Sequence, residues 1–415
     1  MKISIISDTH FGHETCTLVQ KQGDSIVMGP KYDAFLKAVG TGNDYLVMVG
    51  DVLDYSRASY EHAYQYAQVF FQQIQRDGIA HQIIYIAGNH DADIWHIVQQ
   101  QRAVINRLLH GKLPVPFEHS VAGIIDDRQG SPHRGFTLSS GSAKTSELKY
   151  GGMFLDSITG TTSPTVFNFV FPSLYIVTDE ESIIVTHGHY LEPYWSILGE
   201  LLMKIVSDDL NVKEIDSETM VELNFPFNQL GCTGIGHTGV LASLARQIER
   251  QINDRDLAHI QKYLDRSITV IDNAANLGWV KKVIAHYAMH KMEEHILDAL
   301  KNSQKSHYGT DFLSKQEVQD RFRRFYSACL LEIKALNDAM NLGMPKPRKF
   351  VFGHTHRPIA WNDPQPPTLE TASKAAPQAV TLYNTGGWLE DEGKFCGAEV
   401  FIHETERGFS SVSIR

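Results

Sequence analysis

Ile83-Ile84-Tyr85-Ile86-Ala87-Gly88-Asn89-His90-Asp91 ends an apolar run abruptly on four residues that can carry chemistry. The run has the length and content of a buried strand, and the glycine after it marks a turn. The same construction occurs upstream. Residues 2–7 (KISIIS) lead into Asp8-Thr9-His10, and residues 45–49 (YLVMV) lead into Gly50-Asp51. Between the second and third runs, Ser59 to Arg76 has helical periodicity and stops at Gly78, a suitable cap. Strand, helix and strand therefore alternate, which predicts an α/β sheet with the motif residues at the strand C-termini. Ligands of open α/β sheets collect at that edge.

Two further motifs lie downstream. Residues 182–186 (SIIVT) deliver His187-Gly188-His189, and Phe350-Val-Phe352 delivers Gly353-His354-Thr355-His356. Taken singly, each motif has an ordinary reading: a turn, a cap or a loop. Taken together, they offer carboxylate, amide-oxygen and imidazole donors for two hard-to-borderline cations. Two cations about 3.5–4 Å apart can activate a water and neutralise charge during displacement at phosphorus. A carboxylate must bridge them, and an acid must protonate the departing oxygen.

In this order the motifs resemble the calcineurin-like metallophosphoesterase superfamily: Asp8 and His10, Gly50-Asp51-Val-Leu-Asp54, Gly88-Asn89-His90-Asp91, His187-Gly188 and Gly353-His354-Thr355-His356. The resemblance covers residues 1–100, about 180–190 and 350–390. It implies a four-layer αββα sandwich with metals held by loops at the strand ends. It also implies a dinuclear, metal-dependent phosphohydrolase working by metal-activated hydroxide attack. Carried over, Asp8, His10 and His356 hold the first metal; Asn89, His187 and His354 hold the second; Asp51 bridges. His90 faces the scissile phosphate, and Asp91 orients His90. Asp54 is expected to be a supporting carboxylate rather than a ligand. The ligand set suits Mn²⁺ first, with Fe, Zn²⁺ or Co²⁺ as alternatives. His189, His13 and Asn384 are candidates for contact with substrate or for support of the ligands; packed histidines and a turn-capping asparagine are the plainer readings. Asn384 lies in Tyr383-Asn-Thr-Gly-Gly-Trp388, a segment that resembles one following the last histidine motif in this superfamily.

The remainder of the chain reads differently. Asp93 to Leu109 is expected to be a helix, and residues 111–163, rich in Gly, Ser, Thr and Pro, look loop-like with room for short strands. Residues 165–177 and 182–186 read as two strands around the turn Asp179-Glu-Glu-Ser182. Residues 191–345 turn mostly helical, with helical spacing at Val240–Leu264, Leu277–Leu300 and Lys315–Leu342. Ser314-Lys-Gln-Glu317 reads as a capping box for the last of these, and Gly343 and Pro345 end it. The expected organisation is a metallophosphoesterase core of residues 1–190 and 346–415, interrupted by a helical insertion or cap at 191–345 that selects substrate. Gly234-Ile-Gly236-His-Thr-Gly239 matches a dinucleotide-loop pattern but lacks a strand before it, so a joint is the better reading. His286 and His290 share a helix face without the glutamate of a zinc-protease helix. Lys346-Pro-Arg-Lys349 reads as a solvated basic turn.

Composition narrows the class. With 42% hydrophobic and 21% charged residues the chain is globular, and its net charge of −10 argues against a broad nucleic-acid-binding face. Four scattered cysteines, with no CxxC pair, fit a reducing compartment. The opening MKISIISD runs straight into a strand without a leader, so a cytoplasmic location is expected. No stretch reaches the ~20 apolar residues of a membrane span. The most apolar candidate, Tyr194 to Val206, reads as a buried amphipathic helix, with peripheral membrane contact as the alternative. The expected partner is a phosphorylated small molecule or a lipid- or nucleotide-linked substrate. The competing readings are a nuclease or phosphodiesterase acting on nucleic acid, and a non-catalytic metal-binding scaffold.

Overall fold

The computed structural model describes residues 1–139, 166–196, 199–200, 215–229, 262, 266, 311–371, 378–391 and 393–415. Two sheets dominate. The first has six strands in the order Gly408–Ile414, Ala398–Glu404, Lys2–Ile6, Asn43–Val49, Ala80–Ile86 and Val166–Val170. The last four are mutually parallel, and the C-terminal pair runs antiparallel along one edge. The second has seven strands in the order Thr368–Glu370, Ala379–Asn384, Lys349–Phe352, Ser182–Thr186, Ser173–Val177, Gly123–Asp126 and Gly135–Leu138.

Side chains cross between the sheets. Tyr45 meets Phe136, Tyr383 meets Phe401, and His403 Nε2–H donates to Asp127. Strands buried on both faces need continuous apolar runs, and Lys2–Ile6, Asn43–Val49 and Ala80–Ile86 supply them. Helices cover the outer faces. Tyr60–Arg76 packs on the first sheet side, where Phe70 meets Phe11 and Phe35, and Phe71 meets Phe167. Its Ser59 hydroxyl accepts from the His62 N–H, an N-cap that satisfies a free amide of the first turn. The long helix Gln316–Met340 lies against the second sheet, with Phe322 and Phe325 on Phe350 and Glu332 accepting from the Tyr175 hydroxyl.

Several expectations need correction. Residues 165–177 are two strands in different sheets, Val166–Val170 and Ser173–Val177. Pro172, which has no N–H to give a ladder, stands at the crossing. The described part of 111–163 does contain short strands, Gly123–Asp126 and Gly135–Leu138, which the loop-like reading allows. The capping box does not form: Lys315 is the N-cap residue and its side chain makes no capping hydrogen bond, and the Ser314 hydroxyl donates to the Asp311 carbonyl instead. The helix ends at Asn341, which takes the left-handed conformation before Gly343 is reached. The expected helix after Asp93 is present as Ala92–Gln100, running on through a π-helical turn at Gln101–Asn106. Lys349 is a strand residue paired with Glu181, so the basic cluster is only partly a solvated turn.

The helices expected at Val240–Leu264 and Leu277–Leu300, the glycine pattern at 234–239 and the His286/His290 pair lie outside the described residues, apart from 262 and 266. So does most of Tyr194–Val206. Within 191–345, the described regular structure includes short 3₁₀ turns, the helix Ser217–Gln229 and the helix Gln316–Met340. Among the described residues no helix is long and apolar enough to cross a membrane.

Candidate metal centre and active site

The strands Lys2–Ile6, Asn43–Val49 and Ala80–Ile86 of the first sheet, and Ser182–Thr186 and Lys349–Phe352 of the second, each run out into one of the five motifs. The loops close on one another through the backbone. Asp8 N–H donates to Gly50 O, His10 N–H to Asp51 O, and Gly353 N–H to His187 O. Asp8 and Asp51 are thereby brought to the same edge as His187 and His354.

Among the described residues three groups of side chains could hold a cation: Asp8, His10 and His356; Asp51, His187 and His354; and a third, His10, Asp54 and His90, which shares His10 with the first. In the first, His10 Nε2 and His356 Nε2 are 3.1 Å apart, and His356 Nε2 is 3.2 Å from Asp8 Oδ1. In the second, His187 Nε2 lies 3.1 Å from Asp51 Oδ2 and 3.0 Å from Asn89 Oδ1. Asp51 Oδ2 also stands 3.8 Å from His10 Nε2, so one carboxylate oxygen looks into both of these groups.

The backbone is bent to achieve this. Six non-glycine residues among those described have positive φ, and five are Asp8 (51°), His10 (46°), Asp51 (50°), His354 (67°) and His356 (53°). Non-glycine residues rarely adopt this region, and such strain concentrates at functional sites. Glycines allow the close approach. A Cβ on Gly88 would overlap the Asp51 carboxylate, and one on Gly353 would overlap Asp8 and Ser7.

Convergent, buried oxygen and nitrogen acceptors are what a pair of divalent cations requires, so the residues fit such ions. Electrostatics agree. Burial pushes Asp51 up, but the charges of His187 and His90 outweigh it and hold the carboxyl well below its usual range. Asp8 is likewise lowered against its burial, chiefly by the hydrogen bond from His356. Burial pulls His187 down, yet Asp51 dominates and raises it to about 9.

The imidazoles of His187, His10 and His90 are oriented from behind. His187 Nδ1–H donates to the Val49 carbonyl at 2.9 Å, and His10 Nδ1–H donates to Asp54 Oδ2 at 2.9 Å. His90 Nδ1 lies 3.1 Å from Asp54 Oδ1 and 2.7 Å from Ser56 Oγ, which itself donates to Asp54 Oδ1 at 2.8 Å. The His90 side chain is 22% exposed, against 2% for His10 and 0% for His187, so it is the imidazole among these that a substrate can reach.

The carboxylate placed behind His90 is therefore Asp54, and the expectation that Asp91 orients it is corrected. Asp91 instead accepts from Gly88 N–H (2.6 Å), Val52 N–H (2.8 Å) and the Tyr85 hydroxyl (2.5 Å), with longer bonds from Asp51 and Leu53 N–H at 3.3 Å. It ties the Asp51 loop to the Gly88 loop. Burial, reinforced by the charge of Asp51, raises it to about 6. The reason is competition: the Asp91 carboxylate does not cap its own helix but is drawn to the buried amides of the two adjoining loops, which need an acceptor.

The remaining candidates divide. Asn384 is fully buried and works on the backbone: Nδ2 donates to Gly353 O (2.7 Å) and Thr355 Oγ1 (3.1 Å), and Oδ1 accepts from Gly386 N–H (2.8 Å). It shapes the His354 loop. The segment after it closes on the first group, for Trp388 N–H donates to Asp8 O. His13 lies outside both groups. Its Nδ1 accepts from Thr15, and burial lowers it to about 3. His189 is wholly buried, with its ring 5.5 Å from that of His187 and 6.4 Å from that of His354. Neither of its ring nitrogens has a hydrogen-bond partner. Asp54 stands as the supporting carboxylate expected of the Gly-Asp-x-x-Asp spacing, whereas Ser56 and Glu192 were not foreseen. Nothing local in the sequence marks the last two.

The family model for calcineurin-like phosphoesterases matches residues 1–217 of the chain. The chain belongs to that family, and it is a metallophosphoesterase, a hydrolase of phosphate ester or anhydride bonds. No curated protein matches it.

Proposed function

We propose that this protein is a dinuclear phosphohydrolase in which Asp8, His10 and His356 hold one cation, Asn89, His187 and His354 hold the other, and Asp51 serves both. The position of Asp51 Oδ2 between the two groups carries this reading. The crossing contacts between sheets and the helices outside them support a four-layer αββα sandwich, built from 1–190 and 346–415, with 191–345 as the substrate-selecting cap.

When bound, the two cations supply Lewis-acid neutralisation of the phosphate oxygens and an acidified water. Mn²⁺ is the preferred ion, with Fe, Zn²⁺ or Co²⁺ able to use the same donors. The chain's own contribution is orientation and proton delivery. Asp54 fixes His90 through Nδ1, leaving Nε2 to face the departing oxygen and give it a proton. Asp51 Oδ1 accepts the His90 N–H at 2.8 Å, which locks the His90 loop to the shared carboxylate. Asp91 and Asn384 keep the two ligand loops in register.

The substrate class is a phosphorylated small molecule or a lipid- or nucleotide-linked phosphate. The test is hydrolysis of p-nitrophenyl phosphate, bis-p-nitrophenyl phosphate and a nucleotide-sugar panel by chelated protein reloaded with Mn²⁺. Metal-dependent turnover of one class is the expected result. No turnover of any, with two ions bound, would remove the catalytic reading.

A further inference from the structure

We infer that Glu192 is the positioning residue of the second cation group. It acts through His354. Glu192 Oε2 lies 3.0 Å from His354 Nε2, with the two side chains only 2% and 1% exposed. A carboxylate accepts and does not donate, so His354 carries its proton on Nε2 and keeps the Nδ1 lone pair for a cation. A carboxylate behind a ligating histidine fixes its tautomer and ring orientation and raises its basicity.

The local chain builds this contact in one turn. Gly188 takes φ 107°, Leu191 N–H donates to Gly188 O, and Glu192 N–H donates to His189 O, both at 3.0 Å. The turn His189–Leu191 folds Glu192 back onto the site that His187 has just entered. His187 and Glu192 thus both pack on His354, His187 with ring centroids 5.1 Å apart and Glu192 through Nε2.

Asp54 does the same for His10 in the first group, whereas His187 is backed by the neutral Val49 carbonyl. Each group therefore has a carboxylate-backed imidazole, and that of the second group is supplied by Glu192. The inference rests on the dinuclear reading above and deepens it, because it predicts an effect confined to one of two ions.

The experiment is Mn²⁺ titration of metal-free wild type, Glu192→Ala and Glu192→Gln by calorimetry, with electron paramagnetic resonance of the loaded proteins. Wild type should take up two ions and give a spin-coupled spectrum. Glu192→Ala should bind the first ion as wild type does and the second roughly 10–100-fold more weakly. Its spectrum at limiting Mn²⁺ should be that of an isolated ion. Glu192→Gln keeps an acceptor without the charge and should fall between. It also decides the matter if the alanine variant does not fold. Native affinity for the second ion in both variants would overturn the proposal, even with a lowered melting temperature. Equal weakening of both ions would overturn it too, as the mark of a general structural role. Wild type binding fewer than two ions would instead refute the dinuclear reading itself.

Discussion

His90 Nδ1 and His10 Nδ1 turn to opposite oxygens of a single buried carboxylate, that of Asp54, at 3.1 and 2.9 Å. One side chain therefore orients both an imidazole of the first cation group and the partly exposed imidazole proposed to protonate the leaving group. Burial alone would raise Asp54, but His90 and His10 hold it well below the usual carboxylate range, so it is ionised throughout the working pH range.

Loss of Asp54 should then differ from loss of His90. His90→Ala is expected to keep both ions and lose roughly 10²–10⁴-fold in turnover, the contribution of a positioned proton donor. Asp54→Ala should lose turnover to a similar extent and also bind the first ion roughly 10–100-fold more weakly. Steady-state kinetics alongside metal analysis check this. Full activity of His90→Ala would remove it from the reaction.

Asp91 should behave as a stability residue. Removing its carboxylate leaves the amides of Gly88, Val52, Leu53 and Asp51 without their acceptor in a fully buried site. Each orphaned buried group costs about 1–3 kcal/mol, so Asp91→Ala should be among the most destabilising single changes. Tyr85→Phe, which removes one donor to Asp91, should cost only about 1 kcal/mol. Chemical denaturation of the metal-free proteins ranks them. An Asp91→Ala protein as stable as wild type but inactive would favour a direct role in the reaction.

Proton and metal should compete at His187. Its raised value of about 9 means that the metal-free fold binds a proton there more tightly than the unfolded chain does. The stability this contributes is fully present below the ordinary histidine value near 6.5 and is lost as pH rises through about 9. Metal-free protein should therefore melt at lower temperature at pH 9 than at pH 6.5. Mn²⁺ uptake should release a proton, and affinity should rise across the same interval. Calorimetry in buffers of different ionisation enthalpy detects the released proton; its absence at pH 7 would show that His187 is already neutral there.

Gly353→Ala should disable the first cation group without replacing any ligand. The added Cβ would overlap Asp8 and Ser7, and Asp8 also accepts the His354 N–H at 3.0 Å. The expected outcome is loss of one ion and most turnover in a folded protein. Circular dichroism with metal analysis checks it, and two tightly bound ions in the variant would refute the crowding argument.

The chain order alone determined the chemistry. Apolar runs ending on Asp8, Asp51, Asn89 and His187 read as strands whose ends hold donors, because strand burial and glycine-marked turns are local properties. The pairing of donors into two groups depended on the resemblance, and the structure brings the same residues together. What only the tertiary structure decided are the contacts behind the donors. Asp54 rather than Asp91 supports His90; Glu192 reaches His354 across 162 positions; and Pro172 divides one apolar segment between two sheets. Such partners are chosen by which loop faces which once the sheets have packed. They are chosen too by competition for buried amides, as at Asp91, and neither leaves a periodic or spaced trace in the sequence.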